Sequence, residues 1–172
     1  TGTDRIFEAY QKLELNNVDY VINLQGDEPM IDIEDIKNLN TNAIKIKSEI
    51  ATLACKIKDK NILNKSNIVK VITDEKISKE NMSRANTFSR KVSFNNISNI
   101  YHHVGIYMYK VPILEKFVNL KQSKNEIDQK LEQMRAIDNK IEINVILANS
   151  SPIGVDTEED FLELKKIMNY KN

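Results

Sequence analysis

Residues 20–24 read YVINL and are followed by Gln25-Gly26-Asp27-Glu28-Pro29. A short apolar run that ends at Gly and Pro is typical of a buried strand leading into a polar turn. The turn places Asp27 just beyond the carboxyl end of the predicted strand. Ligands of open α/β sheets bind beyond the carboxyl ends of the strands. This stretch therefore predicts a central strand and a candidate ligand-binding turn.

Segments of strand length and segments of helical periodicity alternate on either side of this strand. Further strands are predicted at 50–57, 68–72, 104–109 and 141–147. Helices are predicted to begin near Thr1, Asp32, Pro112 and Ser123, and after Gly154. The alternation predicts the α/β class, with a mostly parallel central sheet flanked by helices. No linker or repeat divides the chain, so one domain is predicted over 1–172.

The clearest predicted helix follows Ser123, because Ser123 and Glu126 form a capping-box pattern. Ile127, Leu131, Met134 and Ile137 follow at helical spacing, so one continuous amphipathic helix is expected. Residues 74–99 are polar and weakly patterned, and they give no firm prediction.

The composition excludes several classes of function. The 172 residues hold 25 Lys and Arg and 25 Asp and Glu, which argues against a nucleic-acid clamp. No apolar run approaches the roughly 20 residues that cross a bilayer, so no membrane partner is expected. No secretory signal is visible at the N-terminus, and the single Cys55 cannot form an internal disulfide, which fits a reducing compartment. Cys55 lies in an apolar strand, where a small core residue is expected.

Asp27 and Asp156 are the candidate metal ligands. Both follow glycine within two residues, and both lie in predicted turns at element boundaries. Two carboxylates that meet beyond the strand ends form a hard oxygen site suited to Mg²⁺. The alternatives are a helix N-cap for Asp156 and an ordinary turn residue for Asp27.

The pair His102-His103 is a weaker candidate for a metal or acid–base site. Neighbours on a strand point to opposite faces, so at most one of the two rings faces a common site. Neither a GxxxxGK[ST] loop nor a GxGxxG motif is present, so P-loop and dinucleotide-binding functions lose their main support.

Five motifs occur together in one order: TGTDR from Thr1, NLQGDEPM from Asn23, HVGIY from His103, LEQMR from Leu131 and GVDT from Gly154. This series resembles the 3-deoxy-manno-octulosonate (Kdo) cytidylyltransferases, the CMP-Kdo synthetases of lipopolysaccharide biosynthesis, over nearly the whole chain. The resemblance implies a Rossmann-like nucleotidyltransferase fold and a cytoplasmic homodimer. It implies transfer of CMP from CTP to the anomeric hydroxyl of Kdo, with Mg²⁺ and release of pyrophosphate.

The resemblance also implies roles for single residues. Asp27 and Asp156 match the metal-binding aspartates of the family. The cytidine pocket is matched by Gly2, Thr3 and Arg5. The sugar-acid site is matched by Gln25, Arg84, His103, Tyr107, Glu132 and Gln133.

The chain departs from the family pattern at three places, one of which is a shorter stretch between Arg84 and Tyr101. The family's N-terminal strand and PARxxSxRLPxKxL nucleotide loop are not in this sequence, so a fragment with little activity of its own is expected. The segment Asn81-Met82-Ser83-Arg84 replaces an aromatic-Phe-Ser-Arg stretch, which weakens the role of Arg84. The alternatives are a cytidylyltransferase for another sugar acid, such as a sialic acid, and a non-catalytic nucleotide-sugar-binding module.

Overall fold

The structure is a computed structural model that describes residues 1–24, 26, 30–92, 98–149 and 158–167. Its strands are β1 (Tyr20–Asn23), β2 (Ile50–Lys56), β3 (Lys70–Thr73), β4 (Ser83–Ser89), β5 (Ile100–Lys110) and β6 (Ile143–Leu147). Its helices are α1 (Gly2–Lys12), α2 (Ile33–Ile46), α3 (Val111–Val118), α4 (Lys124–Gln129), α5 (Met134–Asp138) and α6 (Glu158–Ile167). A 3₁₀ turn spans Lys60–Asn64. No helix within these ranges is long and apolar enough to cross a bilayer.

Across the described ranges, the strands form one mixed sheet in the order β1-β5-β2-β6-β4-β3. The α/β class with flanking helices is confirmed, but the mostly parallel arrangement is corrected. Strands β1, β2 and β6 run in one direction, whereas β5 runs against both β1 and β2. Strands β3, β4 and β5 follow one another without a crossover helix in the described residues, and parallel pairing requires a long crossover.

Five of the strands close into a ring. Strand β5 pairs with β2, β2 with β6, β6 with β4, β4 with β3, and β3 again with the start of β5. The two flanks of β5 are therefore both paired, by β2 on one side and by β3 and β1 on the other. This places β5 where side chains from several elements converge.

The two faces of the sheet carry separate cores. One core combines Tyr109 of β5 with Leu114 and Phe117 of α3 and with half-buried residues of α1. The other packs Leu39 and Ala43 of α2 against β2, β5 and β6. Burial of this apolar surface fixes the helices against the sheet. Because side chains alternate along a strand, the odd-numbered residues of β5 face the first core and the even-numbered residues face the second.

The capping patterns are confirmed at three helices. Thr1 and Asp4 form a capping box on α1, Ser123 and Glu126 form one on α4, and Asp32 caps α2. The expected continuous helix after Ser123 is wrong, because Lys130 adopts a left-handed conformation with φ of 53° and ends α4. Strand β4 lies in the segment for which the sequence made no firm prediction.

Candidate functional site

A row of aromatic side chains crosses the core face at β5. The His103 ring lies 5.1 Å from Phe88 of β4 and 5.3 Å from Tyr107, between ring centroids. Tyr107 stacks on Tyr109 at 5.8 Å, and Tyr109 contacts Phe117 of α3 at 6.2 Å. The row brings the predicted residues His103 and Tyr107 together in one site.

An irregularity in β5 sets the spacing of this row. Thr52 of β2 pairs with Tyr107, whereas the next residue, Leu53, pairs with Val104. The additional residues form a bulge, which re-aims the side chains beside it. The buried Thr52 hydroxyl bridges this bulge by donating to the Ile106 carbonyl oxygen at 2.7 Å.

His102 and His103 lie on opposite faces of β5, as the alternation along a strand predicts, so the two rings do not face a common ion-binding site. His102 lines a cavity of about 380 Å³ together with Cys55 and three lysines. His103 instead faces the aromatic row, and its Nε2 lies 3.1 Å from the Thr52 hydroxyl oxygen. Burial and the neighbouring His102 lower the pKa of His103 to about 3, so its imidazole is neutral at pH 7.

The neutral His103 ring should make the protein sensitive to mild acid. Below the ordinary histidine pKa of about 6.5, His103 binds a proton in the unfolded chain. In the folded chain it binds that proton only near its lowered pKa of about 3. We expect the unfolding free energy to fall by up to about 1.4 kcal/mol per pH unit in this window. Urea unfolding at pH 7, 6, 5 and 4 measures the slope, and His103→Gln should flatten it. Equal slopes for the two proteins would contradict the assignment.

Tyr107 and Glu132 present buried polar atoms that lack a hydrogen bond within the described residues. These atoms are the Tyr107 hydroxyl oxygen and Glu132 Oε1. Burial raises the pKa of Tyr107, and the nearby Tyr109 and Glu132 raise it further. Tyr107 therefore stays a neutral hydroxyl beside a carboxylate. A buried polar group without a partner is costly, so the arrangement suits a polar ligand that completes both groups.

The break between α4 and α5 positions Glu132. Arg135 of α5 donates to both carboxylate oxygens of Glu126, at 2.6 and 2.9 Å, and the two side chains are each 3% exposed. The guanidinium also lies 4.8 Å from the centroid of Phe117 and 4.0 Å from Glu132 Oε1. Glu132 and the next residue, Gln133, therefore lie on the linker between two short helices, anchored by this buried ion pair.

The first turn of α1 adjoins the same site. Thr3 is buried, and its hydroxyl lies 3.4 Å from the Tyr109 hydroxyl. A side chain on Gly2 would meet nothing within 4 Å, so open space lies over this turn, and Arg5 is exposed. Thr1 and Glu132 line a common cavity of about 370 Å³. Thr3, predicted for cytidine, thus contacts Tyr109 of the aromatic row, and Glu132, predicted for the sugar acid, borders the same first turn.

The structure places the other predicted residues as follows. Gln25, Asp27 and Asp156 lie outside the described residues, so their predicted roles stay predictions. Arg84 lies on β4, is 63% exposed and pairs with Asp74 at 3.8 Å. It lines a different cavity from Glu132 and makes no described contact with the aromatic row. The described part of the chain holds no group of three His, Cys, Asp or Glu side chains that could bind a metal.

Sequence reasoning missed Thr52, Glu126 and Arg135 as parts of this site. Glu126 was assigned only to a helix cap, and Arg135 was quoted within a motif without a role. A threonine in the middle of the apolar strand IATLAC was the available signal for Thr52, because a buried hydroxyl requires a partner.

Comparisons with known proteins agree with this geometry. A family model described as cytidylyltransferase matches residues 1–143. The 3-deoxy-manno-octulosonate cytidylyltransferase of Agrobacterium fabrum is 37% identical over 98% of this chain and 66% of its own length. The enzyme of that name from Francisella tularensis is 39% identical over 98% of this chain and 70% of its own length. A solved structure of CMP:2-keto-3-deoxy-manno-octonic acid synthetase complexed with CTP matches with a TM-score of 0.86 and 30% identity. The match covers 98% of this chain and 68% of that structure's chain. The chain spans about two thirds of the length of these relatives.

Proposed function

This chain belongs to the 3-deoxy-manno-octulosonate cytidylyltransferase family, and we propose that it transfers CMP from CTP to the anomeric hydroxyl of Kdo. One observation carries the proposal beyond family membership. The motif residue Glu132 lies near enough to Tyr107 to raise the pKa of its hydroxyl, and each holds a buried polar atom without a hydrogen bond in the described residues. A sugar acid offers several hydroxyl groups, which can both donate to Glu132 and accept from Tyr107.

The chemistry fits a site built from binding groups. The sugar hydroxyl attacks the α-phosphorus of CTP, a new O–P bond forms, and pyrophosphate leaves with the electrons of the broken P–O bond, while the hydroxyl proton passes to solvent water. Such a transfer depends on positioning and electrostatic stabilisation and requires no protein nucleophile. The role of His103, Tyr107 and Glu132 is to hold the acceptor, because none of them is paired, within the described residues, with a second group that would activate it as a nucleophile.

We further propose that the reaction uses Mg²⁺ held by Asp27 and Asp156. Two carboxylates form a donor set of hard oxygens, which fits this ion. When bound, the ion neutralises charge on the phosphate oxygens. The resemblance also supports a cytoplasmic homodimer that acts in lipopolysaccharide biosynthesis. Light scattering tests the dimer, and cell fractionation tests the cytoplasmic location.

The acceptor assay tests the proposed function. We expect the complete gene product to release pyrophosphate with CTP, Mg²⁺ and Kdo, and to do so far more slowly with N-acetylneuraminate. Tyr107→Phe should raise the KM for Kdo by about 2- to 10-fold, because one hydrogen bond is lost. Tyr10→Phe, on the half-buried flank of α1, is the matched control and should leave the KM unchanged.

Two results would overturn this proposal. A clear preference for N-acetylneuraminate would assign the protein to the sialic-acid type of cytidylyltransferase. Binding of a nucleotide sugar without any release of pyrophosphate would favour a non-catalytic binding module.

A further inference from the structure

We propose that Thr52 is a positioning residue that fixes His103 as the tautomer protonated on Nε2, so that Nδ1 accepts a hydrogen bond from a hydroxyl of the sugar acid. The ligand in this inference rests on the proposed function. The tautomer does not, because Thr52 and His103 belong to the same folded chain whichever ligand binds.

The direction of the hydrogen bond follows from the single hydrogen of the Thr52 hydroxyl. That oxygen lies 2.7 Å from the Ile106 carbonyl oxygen and 3.3 Å from the Val104 carbonyl oxygen. Carbonyl oxygens only accept, so the hydroxyl hydrogen is directed to this pair. A lone pair of the same oxygen then faces His103 Nε2 at 3.1 Å. The contact is a hydrogen bond only if Nε2 carries the proton and donates.

The surroundings keep the ring in one protonation state and one orientation. Burial holds the pKa of His103 near 3, so a neutral ring with one N–H is present at pH 7. Phe88 meets the ring edge-on at an interplanar angle of 85°, and Tyr107 packs against it at 48°. Since the one proton is on Nε2, Nδ1 has a free lone pair, and within the described residues the ring's side-chain hydrogen bond runs through Nε2 alone.

The resulting set of groups has a defined polarity. His103 Nδ1 and the Glu132 carboxylate accept hydrogen bonds, and the neutral Tyr107 hydroxyl can donate one. A polyhydroxylated sugar matches this set, because each of its hydroxyl groups can donate and accept. The opposite tautomer would place a donor at Nδ1 and would change which face of the sugar fits.

The tautomer can be measured directly by ¹⁵N NMR of the imidazole rings. These 172 residues contain two histidines, so ¹⁵N-histidine labelling gives few signals, and His102→Gln identifies those of His103. We expect a protonated Nε2 and an unprotonated Nδ1 for His103 in the wild-type protein. Thr52→Val removes the hydroxyl at nearly constant shape and should shift the equilibrium towards the Nδ1–H form, whereas Thr52→Ser should retain the wild-type pattern.

Thr73 supplies the matched control. It is a buried strand threonine whose hydroxyl donates to the Glu75 carbonyl oxygen at 2.6 Å, and it has no described contact with His103. Thr73→Val should lower stability to a similar degree but leave the His103 tautomer unchanged. In the kinetic assay, Thr52→Val should raise the KM for Kdo by about 2- to 10-fold with a smaller change in kcat.

A wild-type His103 protonated on Nδ1, or an unchanged tautomer in Thr52→Val, would overturn the inference whatever the substrate is. A shifted tautomer together with an unchanged KM would remove the role of Nδ1 in binding the acceptor. Failure of the wild-type protein to use Kdo would instead refute the proposed function and leave the NMR result to decide the role of Thr52.

Discussion

Glu126→Gln should lower the free energy of unfolding by about 3 kcal/mol, the lower end of the ~3–5 kcal/mol expected when one partner of a buried ion pair is removed. The substitution keeps the shape of the side chain and its role in the capping box, because glutamine serves there as well as glutamate. It leaves the guanidinium of Arg135, which is 3% exposed, without its carboxylate. The loss stays at the lower end because Phe117 and Glu132 still lie beside the guanidinium.

Urea unfolding of three variants checks this expectation. The double variant Glu126→Gln/Arg135→Met should be less destabilised than Glu126→Gln, because the buried guanidinium that has lost its main partner is removed as well. Glu8→Gln, which removes one partner of an exposed pair with Lys12, should change stability little. A double variant that is less stable than Glu126→Gln would mean that the pair acts through packing and not through charge.

Asp27→Asn and Asp156→Asn should each lower turnover by more than about 100-fold. Even residues that only orient a metal ligand cost about 10- to 100-fold when they are changed, so loss of a ligand should cost more. Asparagine keeps one oxygen but loses the charge that attracts Mg²⁺. Steady-state pyrophosphate release at increasing Mg²⁺ measures both the lower turnover and the higher Mg²⁺ concentration needed.

Asp19→Asn is the control for this pair. Asp19 is exposed and comes before β1 in the sequence, whereas Asp27 comes after it. Its substitution should leave turnover and the Mg²⁺ requirement unchanged. Near-normal turnover of both Asp27→Asn and Asp156→Asn at the same Mg²⁺ concentration would refute the proposed shared ion.

Local chemistry explains which parts of the fold could be predicted from the sequence. Strands β1, β2, β5 and β6 are apolar or alternating runs, and each prediction lies close to the observed range. The caps at Thr1, Asp32 and Ser123 follow from side chains that hydrogen-bond to backbone N–H groups within three residues. These interactions join residues that are close together in the sequence, so a local sequence pattern is enough to predict them.

The parts that were missed depend on contacts between distant residues. Strand β4 reads SRANTFS, and its alternation is visible only once Phe88 lies against His103 of β5. The end of α4 at Lys130 places Arg135 against Glu126, nine residues apart, which helical periodicity does not predict. The same limit applies to the site. The resemblance named His103, Tyr107 and Glu132, but the supporting contacts of Thr52 and Arg135 emerged from the structure.

The break at Lys130 has a consequence for how acceptor choice can evolve. The aromatic row belongs to a strand that is paired on both flanks, so a change there disturbs the whole sheet. Glu132 and Gln133 instead belong to a short linker whose path is fixed by one left-handed residue and one ion pair. In the proposed acceptor site, a longer or shorter linker would reposition Glu132 and Gln133 and leave the aromatic residues of β5 in place. Sugar preference would then change through this linker alone, without a change in the sheet.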